Sequence, residues 1–206
     1  MNHETPGNEL IWVNEADEVI GCGEKLQTHR ERHLHRAFSV YLYDAEKGLI
    51  LLQKRAKHKY HSGGLWSNTC CSHPYRNETF SQSIQRCMRD EIGAVPHIAE
   101  TPYAEWTENT RIPCDDGILL FAGRYLYRAS FGELGEDEID SVFLFCPDSS
   151  FLSMVKPNPL EVEELRWISP VVLDGMLESS PEKFSRWFPG TYRLIKAALS
   201  GAETSV

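Results

Sequence analysis

Residues 79–93, TFSQSIQRCMRDEIG, predict one amphipathic helix that carries a carboxylate on its apolar face. Asn77 or Thr79 offers a side-chain oxygen to cap the first turn, and Gly93 can adopt the positive φ at which many helices end. The apolar face follows the i, i+3, i+4, i+7 spacing and consists of Ile84, Cys87, Met88 and Glu91. The carboxylate of Glu91 therefore needs a cation or a hydrogen-bond partner, because an unpaired buried charge is very unfavourable.

Short β-rich runs lie on both sides of this helix. They alternate in polarity or are continuously apolar, as strands are, and they comprise residues 10–13, 37–43, 49–53, 119–127, 141–146 and 165–168. A terminal pair of helices is predicted at 171–177 and 181–199, with Ser180 as the cap of the second and Pro181 in its first turn. Residues 107–117 contain turn formers and are predicted to form a surface loop. This order of elements predicts one mixed α/β domain over residues 1–206, with its core at about 10–199.

The charge of the chain, −9 from 30 acidic and 21 basic side chains, argues against a nucleic acid or an anionic membrane as the main partner. The 6 cysteines include no CxxC pair, which indicates free thiols rather than a zinc ribbon or a disulfide scaffold. No run approaches the ~18 consecutive apolar residues of a membrane span, and residues 1–8 lack a signal-peptide pattern. We therefore expect a cytoplasmic protein, taken to be a monomer, whose partner is a small molecule.

A second informative run, SNTCCSHP at residues 67–74, sets Cys71 two residues before His73. A thiol that can act as a nucleophile or an acid is thus adjacent to a possible metal ligand. Because neighbours on an extended segment point to opposite faces, Cys70 and Cys71 cannot both face one site.

More possible metal ligands flank two of the predicted strands. His33 and His35 share a face if this part is extended, so spacing alone favours His33 over His29 as the partner of His35. Glu136 and Glu138 share a face of another extended segment, where two carboxylates repel. A divalent cation would remove that repulsion, and several imidazoles with two carboxylates suit an octahedral Mn²⁺, Mg²⁺ or Zn²⁺ site. A solvated acidic turn is the alternative interpretation.

In this order and at these spacings, the motifs resemble those of the type 1 isopentenyl-diphosphate isomerases, metal-dependent members of the Nudix-fold superfamily. The resemblance is carried by LHRAFS at 34–39, NTCCSHP at 68–74, YRA at 127–129 and GEDEID at 135–140. The helix also resembles an incomplete Nudix box, because Glu78, Arg86 and residues 91–93 keep their spacing while Cys87 replaces the Glu after the Arg. This resemblance implies a Nudix-like mixed β-sheet sandwiched by helices.

The resemblance also implies a metal centre and a substrate site. It favours His29, four residues after Lys25, over His33. The implied ligands of one divalent cation are His29, His35, His73, Glu136 and Glu138. Glu91 is implied to hold a Mg²⁺ that bridges a substrate diphosphate. The implied substrate contacts are Lys25, Arg55 and Lys59 for the diphosphate and Trp187 for the hydrocarbon.

The implied reaction interconverts isopentenyl diphosphate and dimethylallyl diphosphate by protonation and deprotonation, in isoprenoid biosynthesis. Cys71 and Glu138 would lie on opposite faces of the substrate and exchange the roles of acid and base. Tyr127 matches the family tyrosine that hydrogen-bonds near the glutamate, with Tyr125 as the rival because the loop lengths differ. Arg186 stands where the family usually has Pro.

Two other functions stay open at this point. A Nudix hydrolase would have to activate water although Cys87 replaces one of the box glutamates. A metal-stabilised binding domain would use the same His and Glu ligands only for structure. Glu91, in turn, could simply pair with Arg86 or Arg55.

Overall fold

The computed structural model describes residues 8–59 and 61–203. The strands of the described chain are β1 (Leu10–Val13), β2 (Val19–Gly23), β3 (His35–Asp44), β4 (Leu49–Arg55), β5 (Trp66–Ser67), β6 (Cys70–Ser72), β7 (Arg111–Cys114), β8 (Gly117–Phe131), β9 (Leu134–Pro147) and β10 (Val162–Ile168). Its α-helices are α1 (Lys25–Glu31), α2 (Phe80–Ile92), α3 (Ser149–Met154), α4 (Pro170–Ser179) and α5 (Phe188–Glu203). Within these described ranges, none of the helices has the length and apolar character of a membrane span.

Six strands form the central path of one mixed sheet, in the order β10-β4-β3-β9-β8-β7. The β3–β9 pair in the middle is parallel, and the other neighbours on this path are antiparallel. Of the short strands, β1 and β6 pair with β3, whereas β5 pairs with β4. The parallel register sets His35 directly beside Glu138. Two of the predicted metal ligands therefore lie side by side on adjacent central strands.

Alternation along the central strands directs side chains into two hydrophobic layers, one on each face of the sheet. On β3, Phe38 and Val40 belong to the layer beneath α2, whereas Tyr41 belongs to the layer beneath α4 and α5. On β9, Phe143 and Leu144 divide between the same two layers. The predicted mixed sheet sandwiched by helices is thus confirmed.

The helix predicted from residues 79–93 is α2, and its two ends behave as predicted. The Thr79 hydroxyl accepts a hydrogen bond from the Gln82 backbone, and the Gln82 side chain accepts one from the Thr79 backbone. This capping box satisfies donors that the first turn leaves unpaired. Gly93 ends the helix at φ 68°. Glu91 lies on the buried face, with 5% of its surface exposed.

The prediction of a terminal helix over 181–199 was wrong in its first part. Only a single 3₁₀ turn, Pro181–Lys183, follows Ser180, and α5 begins at Phe188. Between them Phe184 is extended, because it forms a bridge with Trp66 and is buried in the layer beneath α5, and residues 186–187 form a turn. Tertiary burial thus outweighs the local signal of a serine cap followed by proline.

Two further segments differ from the prediction. The loop predicted at 107–117 contains β7, where Ile112 is buried opposite Leu119 of β8. Helix α1 was not predicted; Glu24 caps it by accepting the backbone N–H groups of Leu26 and Gln27, each at 2.7 Å. Glutamate is not among the preferred capping residues, so the local signal for this helix is weak.

Candidate active site and metal centre

Three of the predicted histidines converge from three separate elements: His29 on α1, His35 at the start of β3 and His73 just after β6. Their ring centroids lie 5.0 to 5.4 Å apart. His29 Nδ1–H donates to the Lys25 carbonyl at 2.6 Å, and His35 Nδ1–H donates to the His33 carbonyl at 2.7 Å. Both bonds select the tautomer whose Nε2 is free to bind a metal. Burial lowers the pKa of His29 to about 4 and that of His73 to about 3, so both imidazoles are neutral at pH 7.

The carboxylates of Glu136 and Glu138 are buried on one face of β9. Glu138 Oε1 lies 3.0 Å from His73 Nε2 and 3.6 Å from His35 Nε2. Burial by itself raises the pKa of Glu138, but its interactions with His35 and His73 outweigh burial and hold the pKa well below the ordinary value. Burial and the charge of Glu138 raise the pKa of Glu136. Two buried carboxylates in mutual repulsion are a setting that a cation stabilises.

The donor atoms fit a divalent cation. His29, His35, His73 and Glu138 each offer one ligand atom, and these atoms all lie within 4.8 Å of one another. Among the residues that the structure describes, His29 Nε2, His35 Nε2 and Glu136 Oε2 are buried without a hydrogen-bond partner. Buried acceptors without a partner are unfavourable, and coordination would satisfy them. Imidazoles and carboxylates of this kind suit Mn²⁺, Mg²⁺ or Zn²⁺.

His61 is a member of the site that the sequence analysis missed. Glu136 does not join the four-residue group above; it forms a second group with His29 and His61, and His29 is common to both. His61 Nδ1 is hydrogen-bonded to Glu136 Oε1, and the imidazole is 5% exposed. No spacing signal links a histidine in a basic loop to a strand 75 residues further on.

Cys70 and Cys71 of β6 face opposite directions, as predicted. Cys70 is fully buried in the layer beneath α2, whereas Cys71 is partly exposed and lines a cavity. Burial raises the pKa of the Cys71 thiol, an effect that the nearby Arg55 opposes. The guanidinium Nη1 of Arg55 lies 3.5 Å from Cys71 Sγ. The thiol is therefore protonated at neutral pH and has a cation beside it.

The cavity next to Cys71 has a volume of about 430 Å³. Its lining contains most of the residues that the sequence predicted for the site: Lys25, His29, Arg55, Lys59, Cys71, His73, Glu91, Glu136, Glu138 and Trp187. Three of them are cationic, although the chain as a whole is acidic. Lys25, Arg55 and Lys59 can bind a small anionic ligand, although the same lining also carries carboxylates that need a cation.

Glu91 lies in the same cavity but apart from the two histidine groups. Gln53 Nε2 donates to its Oε2 at 2.8 Å, and Lys59 Nζ lies 3.6 Å from its Oε1. Burial raises the pKa of Glu91, and Lys59 opposes that effect. The alternative that Glu91 pairs with Arg86 is wrong, because Arg86 Nε donates to Glu78 Oε1 at 2.7 Å.

Trp187 closes one side of the cavity. Its Nε1–H donates to Asn68 Oδ1 at 3.0 Å, and its ring meets that of Tyr127 in a T-shaped contact at 6.2 Å. Tyr127 is opposite Glu138 in the β8–β9 register, and burial together with the charges of the two β9 glutamates raises its pKa. The ring of Tyr125 instead packs against Gly190 of α5. The geometry favours Tyr127 over Tyr125.

Two residues near the motifs lie outside the ligand groups. His33 stacks on Trp12 with a centroid distance of 3.9 Å and binds Glu31, so the partner that spacing alone favoured does not join the cluster. Arg186 Nη1 donates to the Ser130 carbonyl at 3.0 Å, and its guanidinium lies over the Phe131 ring at 4.9 Å. Arg186 therefore fixes the β8–β9 hairpin rather than lining the cavity.

Known proteins are similar to this chain over most of its length. Residues 33–188 match the NUDIX domain family. The chain is 36% identical over 197 residues to the isopentenyl-diphosphate Delta-isomerase of Aliivibrio fischeri (strain MJ11). The matched region covers 94% of this chain and 97% of that protein. The chain belongs to the isopentenyl-diphosphate Delta-isomerase family. Another member, from Burkholderia multivorans, is 37% identical over 180 residues, covering 87% of this chain and 88% of the relative.

Solved structures are similar to this member of the isopentenyl-diphosphate Delta-isomerase family in fold. DR0079 from Deinococcus radiodurans gives a TM-score of 0.61 at 15% identity, with 91% of this chain and 98% of that chain covered. A MutT protein from Methanosarcina mazei gives a TM-score of 0.50 at 19% identity, covering 80% of this chain and 95% of that one. Likeness at these identities concerns the fold alone. The predicted Nudix-like architecture is therefore confirmed.

Proposed function

We propose that the protein interconverts isopentenyl diphosphate and dimethylallyl diphosphate by protonation and deprotonation. The observation that carries the proposal is the pairing of a protonated thiol with an ionised carboxylate in one cavity. The pKa of Cys71 is raised by burial, and that of Glu138 is held well below its ordinary range by His35 and His73. A neutral donor and a charged acceptor are the protonation states that an acid and a base need at pH 7.

The proposed reaction adds one proton to the substrate and removes another from it. In the forward direction, the S–H bond of Cys71 breaks and its proton forms a C–H bond at the terminal alkene carbon. The neighbouring carbon becomes a tertiary cation. A carboxylate oxygen of Glu138 then takes a proton from the adjacent methylene, and the electrons of that C–H bond form the new double bond. Arg55 beside Cys71 stabilises the thiolate that the first transfer leaves.

The reaction has two further requirements, an apolar wall and a hydrogen bond that holds the carboxylates in place. The wall is needed because the tertiary cation must be kept from water. We assign that wall to Trp187, whose aromatic face also favours a positive charge. We assign Tyr127, opposite Glu138 in the strand register, to hydrogen bonding at the carboxylates.

The anionic end of the substrate and the metal centre are assigned to the remaining residues. Lys25, Arg55 and Lys59 would bind the diphosphate, and Glu91 would hold a Mg²⁺ that offsets its negative charge. His29, His35, His73, Glu136 and Glu138 would hold one Mn²⁺, Mg²⁺ or Zn²⁺. That cation, when bound, would neutralise the paired carboxylates and fix the orientation of Glu138.

Hydrolysis is disfavoured because the helix that resembles a Nudix box lacks some of the free carboxylates that a hydrolase needs. Glu78 is engaged by Arg86 in a two-bond pair and does not line the cavity. Cys87 offers a thiol, with its pKa raised, where a hydrolase would need a carboxylate. Of the carboxylates at box positions, Asp90 and Glu91 line the cavity, and Glu91 is the buried one.

The wider setting is also proposed. We infer one domain over residues 1–206 that acts as a cytoplasmic monomer in isoprenoid biosynthesis, with neither nucleic acid nor membrane as a partner. The acidic net charge of −9 argues against a nucleic acid or an anionic membrane as the partner. Size-exclusion chromatography with light scattering tests the monomer, because a mass near 23.5 kDa is expected.

The activity is tested by incubating purified protein with isopentenyl diphosphate in D₂O with Mg²⁺ and following the products by NMR. Dimethylallyl diphosphate that carries deuterium in the methyl group receiving the proton is the expected product. Glu138→Gln, which keeps the shape of the side chain but not its basicity, should abolish its formation. Phosphate release without isomerisation would favour a hydrolase, and intact unlabelled substrate would favour a binding domain.

A further inference from the structure

We infer that His61 is a positioning residue for the metal centre, where it orients the Glu136 carboxylate through a hydrogen bond. The inference rests on the metal centre contained in the proposed function. It assigns a role to a residue that none of the motifs includes. His61 acts through Glu136 and not on the substrate.

The first support is the contact between the two side chains. His61 Nδ1 is bonded to Glu136 Oε1, and both side chains are more than nine-tenths buried. A carboxylate oxygen accepts when ionised, so Nδ1–H is the donor. Among the described residues, the other oxygen, Glu136 Oε2, is buried without a hydrogen-bond partner. One oxygen is thus committed to His61, which leaves the second for a cation.

The second support is that the imidazole is held in place independently of Glu136. Its ring stacks on Phe131 with a centroid distance of 4.5 Å and an interplanar angle of 25°. Its backbone carbonyl accepts a hydrogen bond from Arg55 Nε at 3.2 Å. Phe131 is itself covered by the guanidinium of Arg186 at 4.9 Å. Because these contacts fix the His61 imidazole, its hydrogen bond can orient the Glu136 carboxylate.

The third support is the asymmetry between the two β9 carboxylates. Glu138 lies against two imidazoles, those of His35 and His73. Among the described residues, the imidazole paired with Glu136 is that of His61. The hydrogen bond from His61 to Oε1 fixes the orientation of the carboxylate and leaves Oε2 available to a metal. His61 therefore does for Glu136 what the histidine pair does for Glu138.

The test is Mn²⁺ binding measured by titration calorimetry, without any isoprenoid, on wild type and three substitutions at residue 61. His61→Asn keeps an N–H donor near the position of Nδ1, whereas His61→Gln moves the donor further out. His61→Phe keeps the ring stack on Phe131 but has no donor. We expect Gln and Phe to weaken Mn²⁺ binding about 10–100-fold, and Asn to stay much closer to wild type. Comparison of His61→Asn with His61→Gln tests the positioning role even if His61→Phe does not fold.

His97→Phe is the matched control. His97 is an exposed histidine that faces Asp116 with its Nδ1 3.3 Å from the carboxylate, and it is not part of the cavity. This substitution should leave Mn²⁺ affinity unchanged. Electron spin-echo measurements on bound Mn²⁺ give a second readout, since a positioning role predicts the same number of coordinated imidazole nitrogens in wild type and His61→Asn.

Three results would overturn the inference. The first is equal Mn²⁺ affinity in all three His61 variants and wild type. The second is the loss of one coordinated imidazole nitrogen in His61→Asn, which would make His61 a direct ligand. The third is a wild-type protein that binds no Mn²⁺. Because these measurements use the metal alone, absence of isomerase activity in wild type would sink the proposed function while leaving the metal-binding result to stand.

Discussion

Replacing the two adjacent cysteines of β6 one at a time should separate catalysis from stability. Cys71 lines the cavity and Cys70 is fully buried in the core on the opposite side of the strand. Cys71→Ala and Cys70→Ala therefore remove the same atom from neighbouring positions with different surroundings. We expect the first to lower kcat by orders of magnitude in a folded protein and the second to destabilise a protein that remains active.

The expected magnitudes follow from those surroundings. Cys71→Ala removes the proposed acid, and loss of general acid catalysis lowers kcat by about 10²–10⁴-fold. At 1.36 kcal/mol per tenfold, this corresponds to about 3–5 kcal/mol of transition-state stabilisation. Its Sγ borders an existing cavity, so truncation opens no new void, and the free energy of unfolding should change by less than about 1 kcal/mol.

Cys70→Ala removes a sulfur from close packing. Transfer of one group of this size accounts for about 0.8 kcal/mol. A void of roughly 25 Å³ adds about 0.6 kcal/mol at 24 cal/mol per Å³. The sum, about 1–2 kcal/mol, lowers Tm by about 2–8 °C for a chain of this length. Its kcat should remain close to that of wild type.

The assay combines initial rates of deuterium incorporation by NMR with Tm from calorimetry on the same preparations. Wild type and both variants are compared at saturating Mg²⁺ and substrate. Activity of Cys71→Ala within tenfold of wild type would refute its role as the acid. Equal loss of kcat in a folded Cys70→Ala would show that the strand, and not the cavity-facing thiol, is what the reaction needs.

Three further outcomes are expected. Adding Mn²⁺ at 100 times its Kd to chelator-treated protein should stabilise the fold by about 2.7 kcal/mol and raise Tm by about 5–10 °C, and an unchanged Tm would contradict the metal centre. Glu78→Gln should lower the free energy of unfolding by about 2 kcal/mol at pH 7, because it breaks a charged hydrogen-bond pair with Arg86. Arg86 holds the folded-state pKa of Glu78 below the unfolded 4.5 despite the opposing effect of burial, so the unfolded chain binds the proton first. The stabilisation is therefore present above about pH 4.5 and lost as the pH falls, and urea titrations should find the wild-type advantage shrinking between pH 5 and pH 3. A difference independent of pH would exclude this ion pair as its source. Trp187→Leu should lower kcat more than Trp187→Phe, which keeps an aromatic face although both lose the bond to Asn68; equal rates for the two variants would argue against a role for the ring in stabilising the cation.

The sequence by itself determined several local elements and predicted most of the residues that the structure brings to the cavity. The capping residue Thr79, the terminal Gly93 and the helical spacing of the apolar face predicted α2 correctly, because each signal acts within a few residues. Strand alternation likewise predicted that Cys70 and Cys71 face opposite directions. The family motifs predicted His29 as a ligand, whereas spacing alone favoured His33.

Tertiary structure alone decided the contacts that join distant parts of the chain. Residues 181–187 stay outside α5 because Phe184 is extended and is buried in the core with Trp66, which no local propensity reveals. Glu91 pairs with Gln53, 38 residues away, rather than with Arg86 on its own helix. His61 reaches Glu136 across 75 residues. Periodicity and capping report interactions within one or two turns, whereas these contacts depend on how the sheet and its loops come together, so only the folded chain could reveal them.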